Sequence, residues 1–283
     1  MAQMKKRFIV ILVALLVLAG VVGAVVYSLR DPAEFTYKGK PLNEWIIALA
    51  PIYGLAYRQH GDEYKMAEEA ILMLGTNAVP TLLKMLRAHD SGLNFKLELA
   101  GRKLGLIRKP FVRANEKISA AEVAFRLLGS HAGDYVPDLV KIYEENFSED
   151  SRFAVIRILS VIGPRAAKSG TPVIVDATTS TNPEARHAAI AALWHVGAGP
   201  EILAPAYTNM LNDPYWLTRR AVCDRLEEYG DYAKPAIPAL LRALQDTNSS
   251  VRDAAANAIK HIDGETYWRL VAKGKITDSA QPP

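Results

Sequence analysis

The residues that could do chemistry are scattered. The run Ala185–Gly197, ARHAAIAALWHVG, holds His187, Trp194 and His195 among alanines. A metal or acid–base site needs such side chains to converge. The remaining histidines are His60, His89, His131 and His261, and no two form an H-x-x-x-H pair. Cys223 is the only cysteine, which excludes an intrachain disulfide and a zinc site built on several thiolates. Gly129–Gly133, GSHAG, suggests a nucleophile but lacks the G-x-S-x-G order of a nucleophile elbow. Glu68/Glu69, Glu144/Glu145 and Glu227/Glu228 are sequence neighbours. Neighbours on a helix diverge by about 100° and are not shaped like an acid–base dyad. There is no glycine-rich phosphate loop. The expectation is a protein without catalytic, metal or cofactor-binding residues.

The elements that carry these residues repeat. Gly129, Gly163, Gly197 and Gly230 are spaced 34, 34 and 33 residues apart, and another 33 reach Asp263. Four residues before each marker stands a large apolar side chain: Phe125, Leu159, Leu193, Leu226 and Ile259. Alanine stands nine residues before each, and Leu128, Ile162, Val196, Tyr229 and Ile262 one residue before. These offsets share one helical face. Glycine just past it suits a left-handed helix cap. After each marker come a short link, a proline (Pro80, Pro137, Pro172, Pro205, Pro238) and a second apolar helix. Proline fits the first turn of a helix, where its missing N–H costs nothing. Each unit is therefore helix, turn, helix, and only a stack of units can bury the apolar faces.

Eleven residues before the markers stand Arg152, Arg186, Arg219 and Arg252, and six before those Asn146, Ser180, Asp213 and Asp246. With this register the chain resembles the HEAT-repeat family over roughly residues 64–272, most clearly in PAIPALLRALQD and VRDAAANAIKHID. The resemblance implies an all-α, right-handed α-solenoid of HEAT-type hairpins (armadillo-like). It also implies a ladder of Asp–Arg contacts between neighbours, incomplete where Asn146 and Ser180 replace the acid. The tryptophan pattern of tetratricopeptide repeats is missing.

Gly75 to Gly129 exceeds one unit by about 20 residues, and Leu93, Leu97, Ala100 and Leu104 predict an extra helix there. Residues 91–119 carry seven Lys/Arg against Glu98 and Glu116. Arg102, Lys103, Arg108 and Lys109 are candidates for contact with lipid headgroups, the alternative being a solvated face. Tyr37–Leu49 predicts a terminal capping helix opened by Pro41, with Trp45 and Leu49 on one face, preceded by a linker from residue 31. Residues 273–283 read as a loose tail.

Phe8–Leu29 is uncharged over 22 residues and follows Lys5, Lys6 and Arg7. At about 1.5 Å per residue it covers a hydrocarbon core of roughly 30 Å. The expectation is a single membrane anchor over residues 1–30, the basic flank inside and the solenoid outside the cytoplasm, on the periplasmic side. A cleaved signal peptide, giving a secreted chain, is the alternative. An anchor followed by HEAT repeats also resembles a group of uncharacterised bacterial HEAT-repeat proteins.

In HEAT stacks the second helices line a concave surface where partners bind. The fourth residue after each proline gives the row Lys84, Lys141, Asp176, Asn209 and Arg242. Its mixed signs disfavour nucleic acid, which wants cations throughout. The formal charge of +4 is also small for that role. Trp194 stands in a register that is polar in other units, which predicts an exposed indole and a second candidate contact. The expected function is a non-catalytic, membrane-tethered scaffold for a protein partner. The family also suggests bilin-lyase-like or DNA-glycosylase-like enzymes and self-associating structural proteins as alternatives.

Overall fold

A computed structural model describes residues 35–50, 61–90, 92, 96, 99, 100, 103 and 112–276. The expected anchor, the tail beyond residue 276 and most of the inserted segment lie outside the described residues. Among the described residues no helix is long and apolar enough to cross a membrane. The chain divides into two compact units, Met1–Asn43 and Glu44–Pro283.

In the first unit, β1 (Thr36–Tyr37) pairs antiparallel with β2 (Lys40–Pro41). Pro41 thus ends a strand, one residue before α1 (Leu42–Ala48) begins. The expected cap is a hairpin and then a helix, because Lys38 and Gly39 adopt φ of 48° and 75° and reverse the chain. Trp45 and Leu49, which belong to the second unit, are buried, on the face their spacing predicted.

The second unit is a stack of helical pairs. First helices are α2 (Gly61–Leu74), α4 (Ala114–Leu128), α6 (Glu149–Ile162), α8 (Pro183–His195), α10 (Trp216–Tyr229) and α12 (Ser249–Ile262). Their partners are α3 (Val79–Leu86), α5 (Val136–Glu145), α7 (Ala167–Ala177), α9 (Pro200–Met210), α11 (Ile237–Ala243) and α13 (Gly264–Ala272). Each first helix packs on the next, from α2 to α12, and α3, α5 and α7 pack in a second layer. The large apolar register is buried throughout: Phe125, Leu159, Leu193, Leu226 and Ile259 are at most 1% exposed. Each such side chain contributes about 1.5–3 kcal/mol relative to exposure. The alanine register is less uniform. Ala120, Ala154 and Ala254 are buried, whereas Ala188 and Ala221 are half-buried.

The marker glycines sit at positive φ. At Gly197, Ala198 N donates to the Leu193 carbonyl and Gly197 N to that of Trp194, which forms the expected left-handed cap. Gly129, Gly163 and Gly230 lie outside the left-handed helical region. Gly129 has φ 54° and ψ −134°, and Gly163 has φ 69° and ψ −140°. That region strongly favours residues without a Cβ. At Gly129, Gly163 and Gly230 it turns the chain into a 3-10 segment rather than a left-handed cap.

The prolines divide into two groups. Pro80, Pro137 and Pro238 lie in the first turns of α3, α5 and α11, as expected. Pro172 and Pro205 lie inside α7 and α9, because those helices start five residues earlier. The inserted segment ends by Arg113, since Ala114 to Ser119 already form the start of α4.

Candidate functional site

All five side chains of the predicted row are exposed: Lys84, Lys141, Asp176, Asn209 and Arg242. One per second helix places them across α3, α5, α7, α9 and α11. They are not equivalent. Lys141 Nζ lies 3.9 Å from Glu145 Oε1 on its own helix, a loose and exposed pair. Arg242 Nη1 reaches the Pro238 carbonyl at 3.2 Å. Asp176 is engaged from two sides. Tyr143 OH and Arg152 Nη2 both donate to its Oδ2, each at 2.8 Å.

The cause lies in the ladder. Arg186 donates through Nε and Nη2 to both oxygens of Asp213, at 2.5 and 2.9 Å. Arg219 does the same to Asp246, at 2.7 Å each. Each arginine also donates backward to carbonyls of the loop before its own helix. Arg186 reaches Ser180 and Thr181, and Arg219 reaches Asp213 and Pro214. The geometry is bidentate and charge-assisted, with side-chain exposures of 13% or less. The Arg219 hydrogen bond holds the Asp246 carboxyl below its ordinary pKa.

Ser180 occupies the equivalent place in the preceding loop. Its Oγ accepts from Asn182 N, as Asp213 Oδ1 accepts from Tyr215 N and Asp246 Oδ1 from Asn248 N. A hydroxymethyl cannot span to Arg152, so Arg152 turns to Asp176 and Tyr143. Its guanidinium stacks 4.3 Å from the Tyr143 ring centroid, and its Nε is buried without a hydrogen-bond partner. Burial, then the bond to Asp176, pushes the Tyr143 phenol up to about 12.

Two open grooves flank this break. One of about 460 Å³ is lined by Tyr143, Glu144, Asn146, Arg152, Val173 and Asp176, with Pro172. The next, of about 340 Å³, runs between the ends of α7 and α9 and includes Ser180, Asn209 and Asn212. The register of the prolines selects five exposed residues, whereas the grooves arise from the spacing of neighbouring second helices. The signal available was the departure at Ser180.

Trp194 is half-buried, contrary to the exposed indole expected from its register. Its ring meets Tyr229 of the next first helix edge-on, with centroids 5.1 Å apart, and Arg225 lies 6.0 Å from it. Tyr229 OH donates to the Ala198 carbonyl. Trp194 therefore serves contact between repeats. Lys103 is exposed. Arg102, Arg108 and Lys109 lie outside the described residues.

The residues considered for catalysis stand apart. His195 Nδ1 is 2.7 Å from Ser160 Oγ, and His261 Nδ1 is 3.0 Å from Glu227 Oε1. His187 is exposed on α8. The Ser130 carbonyl accepts from Arg165 Nη1, whose Nη2 binds Asp134, so GSHAG is a turn clamped by the next repeat. Among the described residues no cluster of His, Cys, Asp and Glu could hold a metal.

Residues 204–272 match the family model for HEAT repeats. That segment thus carries HEAT repeats, and the all-α stack of helical pairs described above is of the kind such repeats build. An engineered protein of known crystal structure is similar at 16% identity and a TM-score of 0.40, over 79% of this chain and 96% of that one. A likeness that slight bears on neither partner nor function. No curated protein matches. The likeness to anchored bacterial proteins gains no support from these matches.

Proposed function

We propose that this chain is a non-catalytic scaffold that binds a protein partner through the exposed face of its second helices, held at a membrane by Phe8–Leu29. HEAT repeats generally serve protein interaction. The observation that carries the reading is the row of exposed side chains running beside the grooves at Tyr143–Asp176 and Ser180–Asn212. The row presents both charge signs and a neutral amide, which suits a mixed protein surface better than a polyanion. The helices beneath it are buried and stacked, so little ordering cost opposes binding. The anchor is the 22-residue uncharged run, with the solenoid on the periplasmic side. Lys103, which is exposed, is a candidate for contact with headgroups of that bilayer.

A photo-crosslinker placed at Lys141 or Asn209 in native membranes tests the surface. The expected result is capture of the same protein from both positions and none from His187, which is exposed on a first helix. Capture from His187 alone overturns the assignment. A concentration-dependent oligomer with no foreign protein captured would instead favour self-association.

A further inference from the structure

We propose that the hairpin Phe35–Pro41 is a membrane-interface element seated in the phospholipid headgroup layer. This rests on the reading that Phe8–Leu29 spans the bilayer. Only residues 30–34 separate that run from Phe35. Six extended steps of about 3.3–3.6 Å reach roughly 20 Å at most. The headgroup layer itself is roughly 5–8 Å deep on each side of the core. An anchored chain therefore keeps the hairpin either in the headgroup layer or within about 15 Å of it, and the hairpin's chemistry decides between the two.

Its chemistry fits the headgroup layer. Thr36 pairs with Pro41 and Tyr37 with Lys40, so Lys38 and Gly39 form the tip. Leu42 N donates to the Phe35 carbonyl at 2.8 Å, which fixes the base of the hairpin. Phe35 is held by its backbone yet leaves 47% of its surface exposed. Lys38 Nζ lies 5.1 Å from the Tyr37 ring centroid, and Lys38 is exposed. Aromatic rings with an adjacent ammonium are what the bilayer–water interface accommodates: ring toward the acyl boundary, cation toward phosphate. Arg30, Lys38 and Lys40 stand against Asp31 and Glu34, a surplus of one positive charge. Seating is thus driven by the rings, with the lysines in phosphate contact, and depends only weakly on salt or anionic lipid.

The test uses the full chain in phosphatidylcholine nanodiscs, with and without phosphatidylglycerol. A nitroxide is attached through Thr36→Cys, the native Cys223 being buried. A second chain carries the label through Tyr232→Cys, at a turn where the native side chain is 69% exposed. Collision with a water-soluble nickel chelate is expected to be several-fold lower at position 36 than at 232. Oxygen collision should be higher at position 36, and similar in both lipids. Adding Phe35→Ser should return position 36 to the accessibility of 232. An anchored chain whose two labels are equally accessible overturns the proposal and leaves the anchor standing. A chain that does not stay with the nanodisc through an alkaline wash overturns the anchor, and the proposal with it.

Discussion

Arg152 Nη2 lies 2.8 Å from Asp176 Oδ2, and that contact marks where the ladder of the repeats is broken. Arg186 and Arg219, its counterparts, reach forward to an aspartate of the next loop. Arg152 meets Ser180 there and turns aside. A void of about 10 Å³ remains beside Arg152, Ser180 and Ala185, room for about one water molecule. Ser180→Asp should rebuild the rung. A charge-assisted pair gained at a partly buried site is worth about 1 kcal/mol, and the melting temperature should rise by about 2–4 °C. Thermal unfolding of the variant checks this. The same change should free Asp176, so any partner affinity carried by that carboxylate should change with it.

Asp213 is the opposite case. Its side chain is 4% exposed and takes both prongs of Arg186. Asp213→Ala leaves that guanidinium buried without its carboxylate. Breaking one partner of such a pair costs about 3–5 kcal/mol. Urea unfolding should show the midpoint falling accordingly, whereas the exposed Lys141→Ala should change stability by at most about 0.5 kcal/mol.

The stack was legible because its signals are periodic. Phe125, Leu159 and Leu193 recur in one register, and only a buried seam requires that. The ladder arginines were legible as a register too, and the gap at Ser180 was visible. What Arg152 does instead was not, because Tyr143 and Asp176 belong to two other helices and no spacing relates them to it. Trp194 shows the same limit. Its register is polar in other units, but the side chain that covers it, Tyr229, comes from the next repeat. Pro172 and Pro205 mislead for a local reason: helices α7 and α9 start early and carry proline inside them. The sign pattern of the row was readable, whereas the grooves beside it depend on how far α5, α7 and α9 stand apart.

Acid should act through the intact rungs. The Arg219 hydrogen bond depresses the folded-state pKa of Asp246. A depressed carboxylate contributes stability that is fully present above the unfolded pKa, about 3.9, and is lost as pH falls through the folded value. The native chain should therefore lose melting temperature as pH is lowered below about 4. Asp246→Asn should start lower at neutral pH and show a shallower decline over that acid range. Melting curves of both chains from neutral pH into that range test the linkage. Parallel declines would mean that other carboxylates dominate acid unfolding.

Cys223 offers a readout of the same core. Its side chain is fully buried in α10, and burial pushes the thiol up to about 12. Only the thiolate is nucleophilic, so an aromatic disulfide reagent at neutral pH has neither access nor a reactive form to attack. Labelling should therefore be negligible in the native chain and complete in denaturant. Its rate in intermediate urea should follow the opening of α10 against α12. In Asp213→Ala, whose lost rung lies between α8 and the loop leading into α10, labelling should accelerate at urea concentrations where the native chain is still protected. Equal rates in the two chains would show that α10 opens independently of that rung.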